Sequence, residues 1–77
     1  IFVLYPNPNN GSFIVERSSN TESDEIIIYD LSGKEVYSDT WKSGDKKNIE
    51  CNLSSGYYHI HMINAIKEVA VKKMIIQ

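Results

Sequence analysis

Seventy-seven residues, a formal net charge of −2 and one cysteine exclude several classes at once. A chain of this length buries only about 60–65% of the surface it exposes when unfolded, so one small domain is the expectation. No basic surplus marks a nucleic-acid binder, one cysteine makes neither an internal disulfide nor a cysteine-based zinc site, and no apolar run approaches the ~20 residues of a membrane helix.

The chain starts at Ile1 rather than Met and carries no basic-then-apolar leader, which reads as a segment of a longer protein. Apolar residues alternate, with Gly, Asn, Asp and Ser between the runs, a pattern of short strands joined by turns. The first strand is Phe2 to Leu4, ended by Pro6. In Tyr5-Pro6-Asn7-Pro8-Asn9-Asn10-Gly11, the prolines hold φ near about −65° and push Tyr5 and Asn7 towards extended geometry. Asn10-Gly11 then turns the chain into a second strand, Ser12 to Arg17, with Phe13 and Val15 on one face. A polar loop, Ser18 to Asp24, leads to a third strand, Glu25 to Asp30, in which Ile26 and Ile28 oppose Ile27 and Tyr29. Asp30-Leu31-Ser32-Gly33-Lys34 predicts a tight hairpin with Gly33 in the left-handed region.

The fourth strand runs from Lys34 to Trp41 and the fifth from Lys47 to Asn52, joined by a turn at Lys42 to Asp45. Leu53-Ser54-Ser55-Gly56 enters the sixth, Tyr57 to Asn64, and a turn around Asn64 to Lys67, without a glycine, precedes the seventh, Glu68 to Ile76. Strands of this number and spacing predict an all-β, immunoglobulin-like antiparallel β-sandwich. Period two assigns Phe13, Val15, Ile26, Ile28, Leu31, Val36, Ile49, Cys51, Leu53, Tyr58, Ile60, Met62, Val69 and Val71 to the core. The last strand conflicts with itself. Carrying Val69 and Val71 inward would bury Lys73, whereas Met74 and Ile76 are apolar in the opposite phase, so a bulge near Lys72-Lys73 or a change of sheet is expected.

Chemistry is sparse. No strand-to-helix elbow presents a serine, and the few glycines form no phosphate cradle. His59 and His61 share one face of a strand, about 6–7 Å apart, but no third ligand stands at a fixed spacing, so a solvated outer face is preferred to a metal site. Glu22, Asp24 and Glu25 lack the glycine spacing of a calcium loop. Lys46-Lys47 and Lys72-Lys73 are too sparse for nucleic acid. Tyr5, Tyr29, Tyr37, Trp41, Tyr57 and Tyr58 read as core or cross-strand aromatics rather than a sugar platform, with Trp41, near a turn, the candidate for exposure. No catalytic residue, cofactor or metal is expected, and the residues alone stop at a recognition or structural role.

Four segments in this order go further: Tyr5 to Phe13 (YPNPNNGSF), Ile28 to Val36 (IYDLSGKEV), Leu53 to Met62 (LSSGYYHIHM) and Val71 to Gln77 (VKKMIIQ). Together they resemble the C-terminal sorting domains, type A, of type IX secretion cargo in Bacteroidetes, over nearly the whole chain. The resemblance implies a secretion signal at the end of a larger cargo protein that crosses the periplasm and passes an outer-membrane translocon, with its shuttle components, to the cell surface or medium. A sortase-like cysteine protease would remove the domain, cutting before Ile1 or at its edge. Tyr5, Pro6, Asn7, Pro8 and Gly11 would form a stiff entry, Gly33 and Lys34 the family's hairpin, and Gly56 and Tyr58 its Gly-x-Tyr element, with Tyr58 as a corner tyrosine. Lys72, Lys73, Met74, Ile75 and Ile76 would be the recognition end. His59, His61 and Cys51 depart from the family's usual residues.

A competing reading is a non-catalytic adhesion or carbohydrate-binding sandwich, which an exposed aromatic row including Trp41, or calcium in the Glu22 to Glu25 loop, would favour. A metal-dependent enzyme comes third and requires an ion at His59 and His61. Exposed strand edges also make a homodimer an expectation.

Overall fold

The computed structural model describes residues 2–18 and 24–77. The tip of the expected polar loop, with Glu22, and Ile1 at the expected cleavage boundary lie outside the described residues. The strands are β1 (Phe2–Tyr5), β2 (Ser12–Arg17), β3 (Asp24–Asp30), β4 (Glu35–Trp41), β5 (Lys46–Glu50), β6 (Gly56–Ile63) and β7 (Val69–Ile76). Every boundary falls within two residues of the expected one. One antiparallel sheet has the order β1-β2-β5 and the other β4-β3-β6-β7, which together make the immunoglobulin-like sandwich.

The core is built from the inward phase of each strand: Phe13 and Val15 from β2, Ile26 and Ile28 from β3, Ile49 from β5, and Tyr58, Ile60 and Met62 from β6. Each such aliphatic burial is worth roughly 1.5–3 kcal/mol. Val36, Cys51 and Leu53 are half-buried and pack against this cluster. Leu31 is exposed at the hairpin tip, against the expectation, because it lies beyond the paired strand ends, where no opposing sheet covers it. Phe2 joins the core from β1, and Trp41, the aromatic singled out as the candidate for exposure, is only 2% exposed. Trp41 pairs with Asp24 in the same inward phase as Ile26 and Ile28, so the end of β4 faces the core despite the adjoining turn.

β7 also resolves differently from the expectation. Its register with β6 runs unbroken from Gly56 opposite Ile76 to Ile63 opposite Val69, with no bulge and no change of sheet. Tyr58 stands opposite Met74, so Met74 and Ile76 face inward, 0% and 3% exposed. Val69 and Val71 take the outward phase with Lys73 and are 52% and 51% exposed. The irregular pairing is in β3–β4 instead, where Ile28 opposes Tyr37 and Tyr29 opposes Glu35, leaving Val36 between them.

Both hairpins follow local hydrogen bonding. At Asp30–Lys34 the carboxylate oxygen Oδ1 accepts from the Ser32 amide, the Ser32 hydroxyl and the Lys34 amide, and Gly33 takes φ 86°. The Ser32 hydroxyl bond, then the Lys34 amide bond, hold the Asp30 carboxyl below its ordinary pKa. At Asn64–Glu68 the Asn64 Oδ1 accepts from the Ile66 and Glu68 amides, and Lys67 adopts φ 70° where a glycine would be unstrained. Lys67→Gly is therefore expected to stabilise the domain by about 0.5–1 kcal/mol. Urea unfolding would check this, and a loss of stability would contradict the strain at that position.

Candidate functional site

The proline-asparagine segment and the end of β7 form one unit. Tyr5-Pro6 and Asn7-Pro8 are both cis, and the segment they shape runs along the outer edge of β7. Asn7 behaves there as a substitute strand. Its side-chain Nδ2 donates to the Lys73 carbonyl at 3.0 Å, and its Oδ1 accepts from the Ile75 amide at 3.0 Å. Asn9 continues with its own backbone: its amide donates to the Ile75 carbonyl at 3.0 Å and its carbonyl accepts from Gln77 at 2.8 Å. Prolines suit such a cover, since a residue without an N–H leaves no donor unpaired on its far side.

Asn9 is buried and its side chain is bonded at both ends. Nδ2 donates to the Pro6 carbonyl at 3.1 Å, while Oδ1 accepts from the Gly11 amide at 2.8 Å. Gly11 has φ 103°, and a side chain there would strike the Cys51 carbonyl. Its own carbonyl accepts from the Cys51 amide at 2.8 Å, which ties the turn to the chain leaving β5. The Cys51 thiol is half-buried, and desolvation pushes its pKa up, away from reactivity. Tyr5 adds a 2.8 Å bond from its hydroxyl to Glu16 on the neighbouring strand. The stiff entry is thus a clasp that holds the front of the domain to its back.

The other motif residues have separate places. Gly33 and Lys34 shape the hairpin just described. Tyr58 is buried and donates its hydroxyl to the Ser54 carbonyl at 2.7 Å, the geometry of a corner tyrosine, while Gly56 opens β6 at φ 156°. Towards the end of β7, Lys72 and Lys73 are exposed, Ile75 is half-buried, and Met74 and Ile76 belong to the core. Lys72 has the inward phase yet is exposed, as β7 is an edge strand and a long lysine stem can reach past the sheet margin.

His59 and His61 lie half-buried on the outer face of β6, opposite Lys73 and Val71, and His61 meets the Tyr29 ring edge-on at 4.6 Å. Among the described residues no three His, Cys, Asp or Glu side chains gather as metal ligands. Asp24 is engaged elsewhere: Arg17 Nη1 donates to its carboxylate at 2.6 Å. That guanidinium also stacks over Trp41 at 4.1 Å and gives its Nε hydrogen to the Gly44 carbonyl. Neither this buried cluster nor the clasp follows from the sequence reading. The cluster had a signal in Arg17, an arginine in the inward phase of Phe13 and Val15.

No curated protein matches the chain. The family model of the secretion system C-terminal sorting domain matches residues 3–77, a span that includes the clasp and the strand it closes on. The chain therefore belongs to the family of type IX secretion C-terminal sorting domains.

Proposed function

We propose that residues 1–77 act as a single removable address at the end of a larger cargo protein, read through the exposed lysines of β7 and cut away just upstream. Membership of the family carries the coarser part: the chain is a type IX sorting signal, a targeting element that directs export across the outer membrane to the cell surface or the extracellular space. The finer route runs through the periplasm to the outer-membrane translocon and its shuttle components. A sortase-like cysteine protease then separates domain from cargo before Ile1 or at its edge.

The observation that carries this reading is the clasp. It fixes the entry segment to the strand that bears Lys72 and Lys73, with only the four residues of β1, about 13 Å of extended chain, between the clasp and the start of the fold. A machine gripping β7 is therefore held close to the junction where the protease must act. Met74, Ile75 and Ile76 support recognition from beneath, by fixing the strand, while Lys72 and Lys73 present the charge. The adhesion reading loses the exposed Trp41 on which it leaned.

The test fuses residues 1–77 to a periplasmic fluorescent protein in a type IX-competent host and compares it with the Lys72→Glu/Lys73→Glu variant. The parent fusion should reach the surface or medium, and charge reversal should cut that signal by about tenfold or more. Equal export of the two would remove the lysines from recognition. A folded parent fusion that stays periplasmic would overturn the sorting reading altogether.

A further inference from the structure

We infer that the middle of β7 is a strand-addition site, and that its occupant is an extended acidic segment of a partner protein, which joins the four-stranded sheet beside β7. The inference rests on the recognition role proposed above for Lys72 and Lys73, and adds the form of the contact.

β7 ends the sheet order β4-β3-β6-β7, so its outer edge has no neighbouring strand among the described residues. The clasp covers only the C-terminal part: Asn7 takes the Lys73 carbonyl and the Ile75 amide, and Asn9 takes the Ile75 carbonyl. In an antiparallel ladder both backbone groups of a residue point to the same side, and the side alternates. Ile75 points outward, and the register is unbroken, so Lys73, Val71 and Val69 point outward too. The Lys73 amide and both backbone groups of Val71 and Val69 thus form an open pairing edge. Just beyond it, the same edge of β7 already pairs with the Asn7 side chain and the Asn9 backbone.

The side chains set what would pair. Val69 and Val71 are half-exposed β-branched residues on the outer face, with Lys73 in line, while Ala70 and Lys72 flank the other face. An antiparallel segment would place acidic residues opposite Lys73 and Lys72, and apolar residues opposite Val71 and Val69. Its order is acid, acid, apolar, any, apolar. A second copy fits worse. Self-pairing about Val71 sets Lys73 against Val69 and Lys72 against Ala70, crowding lysines from both chains onto one short ribbon, and lysine on an edge ordinarily prevents such pairing. The other edges lack this combination: β4 carries Glu35 and Asp39, and on β5 Lys47 is paired with Asp39 at 3.2 Å.

The probe is a fluorescein-labelled peptide containing two glutamates followed by valine, threonine and valine, titrated with the 77-residue chain and read by anisotropy. Val71→Pro removes an outward N–H without breaking the β6–β7 ladder, so it should abolish binding while thermal melting stays cooperative. Val71→Thr keeps the N–H and should bind as the parent does. Lys72→Glu/Lys73→Glu should weaken binding by about tenfold or more, and a peptide with lysines in place of the glutamates should restore it. Absence of peptide binding to the parent chain, or binding indifferent to both Val71→Pro and charge reversal, overturns the inference. So does a dimer in sedimentation equilibrium that Val71→Pro dissociates while the peptide fails to bind. These readouts are independent of export: strand addition can fail with sorting intact, and sorting can fail with the peptide still bound.

Discussion

Deleting Met74 to Gln77 is expected to unfold the domain, not merely to silence it. Met74 and Ile76 are core residues, each worth roughly 1.5–3 kcal/mol of burial. The deletion also removes the clasp's bonds to Ile75 and Gln77, at about 1 kcal/mol each. Against a total of about 4–12 kcal/mol for a domain of this length, that loss leaves little or nothing. Circular dichroism and amide dispersion in NMR would read the result. A truncated chain that still melts cooperatively within about 10 °C of the parent would show that β7 is not part of the core in solution. The consequence for export assays is direct. Loss of export on truncating the tail cannot be read as loss of a recognition sequence, and only surface changes such as charge reversal at Lys72 and Lys73 separate the two causes.

Arg17→Ala should cost about 3–5 kcal/mol, because it strands the largely buried Asp24 carboxylate without its partner. The pair is 2.6 Å apart with side chains only 5% and 12% exposed, and the same guanidinium stacks on Trp41 and bonds to Gly44. An exposed pair would cost less than about 1 kcal/mol, so urea unfolding distinguishes the cases clearly. The double replacement Arg17→Met with Asp24→Leu should recover most of the loss, since apolar residues of similar volume often match a buried ion pair. A small effect for the single variant, or none of the recovery, would mean that the cluster is more hydrated than its geometry indicates.

The strands were legible because alternation and turn residues are local signals, whereas their order in the two sheets was not. Phe13 with Val15, Ile26 with Ile28, and Tyr58 with Ile60 and Met62 each announce an inward face within a few residues. Gly33 marks its turn in the same way, and Tyr58 bonds to the upstream backbone as a corner tyrosine should. β7 was misread because period two separates two faces without saying which is inside. What decides between them is the cross-strand position of Met74 beside Tyr58, sixteen residues away in the chain. Nearness to a turn makes Trp41 the candidate for exposure, but its phase with Asp24 and Ile26 governs. The clasp lay beyond local rules altogether: the residues Asn7 bonds stand 66 and 68 positions away. Its prolines signalled stiffness, but nothing nearby in sequence indicated what the stiff segment was stiff against.

That separation has a consequence for the order of events in making the protein. A chain appears N-terminus first, so the asparagines of the entry segment exist long before their partners do. Contacts this far apart in sequence close slowly and late. Until residues 73–77 have emerged, the Asn7 side chain and the Asn9 backbone lack their partners at Lys73, Ile75 and Gln77, and the core lacks Met74 and Ile76. A chain that stops short of residue 73, or is trimmed back to it, cannot assume this shape. Closure of the domain therefore reports that synthesis has passed Gln77, whose amide completes the clasp.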